Sequence, residues 1–268
     1  MPVATTARIH PTAVISPEAE IGEGVQIGPF AVIDGPVKIG ENCEIKSGAR
    51  LTGHLTLGKG NTVYTGACLG EAPQHLKYEG EITNTIIGNN NVFREGVTVH
   101  RGTKEGIATR IGNNNFFMVN SHVAHDCKVG NNCILVNGSL VGGHATIQDG
   151  AFLSGNSAVH QFCKVGRLAL VAGVSATTTD LPPFLICRNF NIIVGVNVIG
   201  MRRGGISNKS IDGVRRAYHI IYREDLLLPQ SLALTEKELG DISEVMEFTS
   251  FIRGSTRGIS LETERTAA

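Results

Sequence analysis

The 268-residue sequence has no tryptophan, and aromatic residues make up only 5% of it, which is few for an ordinary mixed globular core. It also lacks any apolar run of about 18 residues, the length that a membrane-spanning helix requires. Its 24 basic and 24 acidic residues cancel, so no overall field attracts nucleic acid or a membrane surface. The amino terminus lacks the charged and apolar regions of a signal peptide. We therefore expect a cytoplasmic protein that neither spans a membrane nor binds nucleic acid.

Six cysteines are scattered along the chain without any CxxC pair. That spacing is typical neither of a structural zinc site nor of a disulfide framework. Cys127 and Cys133 could be read as nucleophiles, but no neighbouring feature predicts a lowered thiol pKa. We expect all six to be reduced thiols, most of them packed in the interior.

The abundant feature is a repeat of six residues. Counted from Val3, every sixth position is apolar as far as Leu69, and again from Ile111 to Val171. Glycine or asparagine often follows, supplying the conformations that tight corners need. Three hexads of short strands make one triangular coil of 18 residues, and about ten such coils rise about 4.8 Å each. The period predicts a mainly β solenoid.

Two interruptions of the repeat predict loops. His75 and Glu81 replace the apolar residue in one stretch, and Glu105 replaces it in another. The chain is expected to leave the solenoid near 71–83 and near 101–109. Both segments are polar, as is typical of loops over a binding surface.

After Thr177 the repeat ends and Leu181-Pro-Pro-Phe184 turns the chain away. Ser207 can cap a helix over 208–223, where apolar residues recur at helical spacing. Further helices are expected near 230–240 and 243–253, with a capping box from Thr235 to Glu238. The predicted domains are a β-solenoid over 1–190 and a C-terminal α-helical domain over 191–268.

Histidines concentrate between 75 and 160. His125 precedes Asp126, and a carboxylate beside an imidazole is the arrangement that a general base near neutral pH needs. Gly143, one coil later, offers a backbone N–H to a developing oxyanion. Two alternatives stay open: histidines that only stack at corners, and histidines that bind zinc between subunits, as in gamma-class carbonic anhydrases.

A second cluster is basic. Between 201 and 223, six cations face a single acidic residue, Asp212. They could form a solvated helix face, or they could hold a nucleotide diphosphate and an acidic protein. The six are Arg202, Arg203, Lys209, Arg215, Arg216 and Arg223.

Several motifs, spread over nearly the whole chain, together resemble the UDP-N-acetylglucosamine O-acyltransferases of lipid A biosynthesis, a family of hexapeptide-repeat acyltransferases. They are HPTA (10–13), IGPF (27–30), HRGT (100–103), HVAHDC (122–127), AVHQF (158–162) and STRG (255–258). The resemblance implies a left-handed parallel β-helix, a homotrimer and no metal or other cofactor. It also implies transfer of a 3-hydroxyacyl chain from acyl carrier protein to the 3-hydroxyl of a UDP-amino sugar.

The resemblance further implies roles for individual residues. His125 would be the general base, Asp126 its orienting partner and Gly143 the oxyanion donor. Gly173 would lie where the family measures acyl length. Substrate contacts are implied for Gln74, His75, Lys77, His122, His144, His160, Gln161, Asn197 and Arg203.

This chain departs from the family pattern at four places, one of which is the segment 188–194, so the acyl chain length does not follow from Gly173 alone. His75 stands where the family usually has aspartate, so a 3-amino sugar that yields an amide remains an alternative acceptor. Ile199 replaces a frequent acidic residue, and Gly204 replaces a frequent phosphate-binding arginine. These changes leave the acceptor sugar and the nucleotide contacts open.

Overall fold

The computed structural model describes residues 3–262. Its strands are short because each ends at a corner of a triangular coil. In chain order they are β1 (Arg8–Ile9), β2 (Val14–Ile15), β3 (Glu20–Ile21), β4 (Gln26–Ile27), β5 (Val32–Asp34), β6 (Lys38–Ile39), β7 (Glu44–Ile45), β8 (Arg50–Thr52), β9 (His54–Leu57), β10 (Thr62–Val63), β11 (Cys68–Glu71), β12 (Asn84–Ile87), β13 (Val92–Phe93), β14 (Thr98–His100), β15 (Ala108–Ile111), β16 (Phe116–Phe117), β17 (His122–Val123), β18 (Lys128–Val129), β19 (Ile134–Leu135), β20 (Leu140–Val141), β21 (Thr146–Ile147), β22 (Phe152–Leu153), β23 (Ala158–Val159), β24 (Lys164–Val165), β25 (Leu170–Val171), β26 (Ala176–Thr177), β27 (Leu185–Arg188) and β28 (Ile192–Val196).

Successive strands belong to three different sheets, so the chain visits three flat faces in turn. Face 1 contains β1, β4, β7, β10, β13, β16, β19, β22, β25, β27 and β28; face 2 contains β2, β5, β8, β11, β14, β17, β20, β23 and β26; face 3 contains β3, β6, β9, β12, β15, β18, β21 and β24. All named pairings are parallel except that of β27 with β28. The result is a triangular prism with three corners, which we name 1–2, 2–3 and 3–1 after the faces they join.

The residues at six-residue spacing point into the prism, as the repeat predicts. Leu51, Leu69, Val123 and Leu135 are completely buried, and each is stacked on its equivalent in the next coil. Burying such a side chain stabilises the fold by about 1.5–3 kcal/mol. Phe93 and Phe117 fill the middle of the core, with ring centroids 4.7 Å apart.

Buried asparagines line the interior of the 3–1 corner. The side-chain oxygen of Asn61 accepts hydrogen bonds from the backbone and side-chain amides of Asn91, at 2.8 and 3.0 Å. Asn91 accepts two matching bonds from Asn115, both at 2.9 Å. Because these amide groups bond one another and nearby carbonyls, the ladder carries polar groups through the core without leaving them unsatisfied.

Both interruptions of the repeat emerge at the 2–3 corner. The chain leaves face 2 after β11 and returns to face 3 at β12, which leaves a loop over 72–83. It leaves again after β14 and returns at β15, which leaves a second loop over 101–107. The two loops therefore lie on the same corner, one coil apart.

The helices follow at one end of the prism: α1 (Val198–Arg203), α2 (Asn208–Arg223), α3 (Leu228–Leu239) and α4 (Ser243–Arg253). Ser207 caps α2 as predicted, accepting a hydrogen bond from the Ser210 N–H. The expected capping box at Thr235 is wrong, since Thr235 lies inside α3 and donates its hydroxyl to the Ser231 carbonyl. Arg167 joins prism to helices through a bidentate ion pair with Glu247 of α4. Within 3–262, the helices are too short or too polar to cross a bilayer.

Candidate active site

The 2–3 corner carries the proposed catalytic dyad. His125 and Asp126 form the turn between β17 and β18, and Asp126 has a left-handed φ of 61°, a conformation that aspartate tolerates better than most residues. The Nδ1 atom of His125 lies 2.7 Å from Oδ2 of Asp126. Because a carboxylate only accepts hydrogen bonds, the proton of the neutral imidazole is on Nδ1, and its lone pair is on Nε2.

Asp126 is held by more than its histidine. Thr103, in the 101–107 loop, donates its backbone N–H to Oδ1 at 3.0 Å and its hydroxyl to Oδ2 at 2.8 Å. Burial raises the pKa of the Asp126 carboxyl, but the hydrogen bonds from His125 and Thr103 outweigh it and hold the pKa below its usual value. The carboxylate is therefore ionised and fixed in orientation.

Gly143 and His144 lie one coil further along the same corner. A Cβ atom on Gly143 would lie 2.5 Å from Cε1 and 2.8 Å from Nε2 of His125, so the imidazole packs directly on this glycine. His144 stacks on Phe162 at 4.5 Å, and its Nε2 lies 3.4 Å from the Asp126 carboxylate. Burial lowers the pKa of His144, and Asp126 opposes that shift.

The 72–83 loop brings His75 to the dyad. Its ring meets that of His125 edge to face, with centroids 5.4 Å apart. Arg101 anchors the loop by donating hydrogen bonds to the Tyr78 hydroxyl and the Gly70 carbonyl. His75, one of the positions at which the sequence departs from the pattern of the family it resembles, therefore adjoins the proposed base.

A groove of about 770 Å³ runs along face 2 beside the dyad. His122 faces outward there, and a 2.7 Å hydrogen bond joins its Nδ1 atom to the Thr98 hydroxyl oxygen. Burial, followed by the neighbouring His100 and His125, lowers the pKa of His122 to about 4, so it is neutral at physiological pH. The predicted substrate residues that line this groove are Gln74, His122, His160 and Gln161, together with Gly143.

Four predicted site residues lie away from the face 2 groove. Asn197 and Arg203 line a separate, apolar groove of about 510 Å³ beside face 1 and the 3–1 corner. The Asn197 side chain caps α1 and donates to the Leu168 carbonyl. Gly173 occupies the exposed 1–2 corner, while Lys77 lies exposed on the 72–83 loop. Within one chain, the structure does not bring the proposed nucleotide residues to the dyad.

The thiols are packed as the sequence predicts. Burial raises the pKa of both Cys127 and Cys133 to about 12, and their sulfur atoms contact backbone carbonyls. At neutral pH they are protonated and enclosed. A thiolate nucleophile at either position is excluded.

Thr103 is the residue that sequence reasoning missed. It belongs to the HRGT motif, but only the folded loop shows its contact with Asp126. We expect Thr103→Val to lower kcat about 10-fold, equivalent to one charge-assisted hydrogen bond of about 1.5 kcal/mol. A less well satisfied carboxylate retains protons more strongly, so the acidic limb of the kcat/KM profile should move to higher pH.

The matched variant is Thr103→Ser, which keeps the hydroxyl and should restore most of the rate and the original pH profile. Steady-state kinetics across pH would measure both variants. An unshifted acidic limb in the valine variant would contradict this role for Thr103.

The chain is similar in sequence to known protein families and to individual known proteins. Residues 180–260 match a family described as UDP-N-acetylglucosamine O-acyltransferase, domain 2. Residues 18–53 and 108–143 match the bacterial transferase hexapeptide family, six repeats. A protein of Anaeromyxobacter sp. (strain Fw109-5), named acyl-[acyl-carrier-protein]--UDP-N-acetylglucosamine O-acyltransferase, is 45% identical over 94% of this chain and 99% of its own.

Solved structures agree with these matches. LpxA of Bacteroides fragilis, a UDP-N-acetylglucosamine acyltransferase, is 41% identical with a TM-score of 0.90, covering 94% of this chain and 99% of its own. The UDP-N-acetylglucosamine acyltransferase of Campylobacter jejuni is 34% identical with a TM-score of 0.89, covering 95% and 99%. The predicted fold class, a left-handed parallel β-helix with a C-terminal helical domain, is confirmed.

Proposed function

Because the chain belongs to the UDP-N-acetylglucosamine O-acyltransferase family, we propose that it performs the family reaction in the first step of lipid A biosynthesis. A 3-hydroxyacyl chain passes from acyl carrier protein to the 3-hydroxyl of UDP-N-acetylglucosamine. The observation that carries the proposal is the His125–Asp126 dyad, packed on Gly143 beside the face 2 groove.

The dyad accounts for the first proton transfer. Asp126 fixes the Nδ1–H tautomer of His125, which leaves Nε2 to remove the proton from the sugar 3-hydroxyl. As that proton leaves, the sugar oxygen attacks the thioester carbonyl carbon. The ionised Asp126 stabilises the imidazolium that forms.

This attack produces a tetrahedral intermediate whose negative charge lies on the former carbonyl oxygen. Within residues 3–262 the Gly143 N–H has no hydrogen-bond acceptor, so it is available to that oxygen. When the intermediate collapses, the carbon–sulfur bond breaks and the His125 imidazolium returns its proton to the carrier thiol. The products are the sugar ester and free carrier protein.

A homotrimer would complete the site. Asn197 and Arg203 line a groove on a different corner from His125, and a neighbouring prism could present that groove to the face 2 groove. In that assembly, each active site would take its base from one protomer and its nucleotide contacts from the next. Gly173 and Lys77 stay predictions for the acyl chain and the sugar nucleotide.

Product identification tests the whole proposal. The purified protein would be offered UDP-N-acetylglucosamine and its 3-amino analogue, with hydroxyacyl carrier proteins of several chain lengths, and products would be identified by mass spectrometry. We expect an ester on the 3-hydroxyl. An amide as the preferred product would instead support the 3-amino acceptor, whose possible contact is His75 beside His125. No acylated sugar from either acceptor would refute the proposal.

A zinc site is the other chemistry that these residues could support. His125, Asp126 and His144 offer ligand atoms within 4.8 Å of one another. However, Thr103 and His125 already occupy the Asp126 carboxylate, and a metal would have to replace those bonds. The proposed base also needs no Lewis acid.

We therefore expect that chelators leave the transfer rate unchanged. The protein would be incubated with EDTA, desalted and assayed, with a known zinc hydrolase treated in parallel as the control. A loss of activity that zinc restores would favour the carbonic anhydrase-like alternative.

A further inference from the structure

The basic cluster in the helices is largely neutralised in the folded chain. Four of its six cations pair with carboxylates, three of them with acids outside the cluster. The pairs are Lys209 with Asp241, Arg215 with Asp212, Arg216 with Glu224 and Glu238, and Arg223 with Glu262. The solvated-face interpretation fits these residues better than an expected contact with an acidic protein.

A different set of cations lies uncompensated on face 3. Arg110 of β15 and Lys128 of β18 are direct neighbours in the strand register, and both are exposed. Between residues 3 and 262, no carboxylate lies within ion-pair distance of either one. Like charges directly opposite on adjacent strands are destabilising, so this pair is not explained by stability.

The surroundings concentrate that charge at one place. Lys104, in the 101–107 loop, is exposed near the same corner and close enough to His144 to affect its pKa. A shallow hollow beside Lys128 contains two carboxylates, but both are engaged: Glu247 pairs with Arg167, and Asp149 accepts from the Asn131 backbone. The carboxylates in this hollow do not pair with the exposed cations.

The position of the pair relates it to the dyad. Lys128 begins β18, three residues after His125. Arg110 follows Thr109, whose hydroxyl accepts a hydrogen bond from the Asp126 N–H. The cations therefore lie on face 3, which begins at the 2–3 corner that carries the dyad. A macromolecule bound there could deliver a flexible arm around the corner into the face 2 groove.

We propose that Arg110 and Lys128, with Lys104, form the docking surface for the acyl carrier protein. This inference rests on the proposed function, which requires a protein donor. An acidic protein surface complements the charge, and electrostatic complementarity of this kind mainly accelerates encounter and fixes orientation. The partner is thus recognised by cations of face 3 and its adjoining loop, and not by the basic cluster of the helices.

The test is the double variant Arg110→Gln/Lys128→Gln, assayed with acyl carrier protein as donor. We expect KM for the carrier protein to rise about tenfold, as for loss of steering charges, with kcat nearly unchanged. The decrease of kcat/KM with added salt should become shallower. Lys38→Gln is the matched control, because Lys38 lies on the same face but pairs with Glu20 at 2.9 Å.

Two further measurements isolate the protein contact. With an acyl-pantetheine thioester, which has no carrier protein, wild type and double variant should react equally. Direct titration with labelled carrier protein should show weaker binding by the double variant. An unchanged KM and an unchanged affinity for the carrier protein would overturn the docking proposal, as would a larger effect from Arg215→Gln/Arg216→Gln. Either result would leave the transferase function intact. Absence of transfer by the wild type would instead refute that function.

Discussion

Replacement of His125 by alanine is expected to lower kcat by on the order of 100- to 10,000-fold, the contribution of one positioned general base. The residue is not part of the apolar core, and its ring contacts those of His75 and His144 at the 2–3 corner. The protein should therefore stay folded. Circular dichroism and sedimentation would compare its structure and assembly with those of the wild type, and single-turnover kinetics would measure the chemical step.

His54→Ala is the control for this variant. His54 is an exposed histidine at the start of β9 on face 3, three strands away from β18, the strand that follows the dyad. Its removal should leave kcat unchanged. Near-normal turnover by the His125 variant would refute the assignment of the base, whatever the fate of the fold.

Gly143→Ala is expected to lower kcat roughly 100-fold, because a displacement of about 1 Å at a reacting group can cost that much. The new methyl carbon would lie 2.5 Å from Cε1 of His125, and the imidazole would have to move away from its hydrogen bond with Asp126. The same methyl group would also crowd the N–H that we propose for the oxyanion.

Gly254→Ala is a matched control, since its φ is −84° and its added methyl carbon would approach nothing nearer than 3.4 Å. Both variants would be assayed for kcat and thermal stability. Unfolding of the Gly143 variant would appear as a lower Tm. A stable Gly143 variant with full activity would contradict both the packing and the oxyanion role.

Much of the scaffold could be predicted from the sequence because its inward-facing apolar residues recur at a fixed spacing. The six-residue spacing fixed which side chains point inward, and the cap at Ser207 fixed the start of α2. His125 and Asp126 were identifiable together because they are adjacent in sequence and share one turn. Local rules were sufficient for these features.

Features that depend on contacts between distant segments were not readable in this way. Thr103 meets Asp126 from 23 residues away, and Arg216 meets Glu238 from 22 residues away. No periodicity connects such pairs. The contact of Thr103 with Asp126 was therefore not predicted from the sequence. The ion pairs between the basic cluster and distant acidic residues were not predicted either.

The buried asparagine ladder also bears on how such an enzyme can diversify. Asn61 and Asn91 are 30 residues apart and Asn91 and Asn115 are 24 apart, yet each pair bonds as one-coil neighbours. The additional residues are extruded as the two loops at the 2–3 corner, while the ladder keeps the 3–1 corner aligned. Insertions can thus lengthen the loops that surround the substrate without shifting the coils behind them. Evolution can remodel specificity at one corner because another preserves the register.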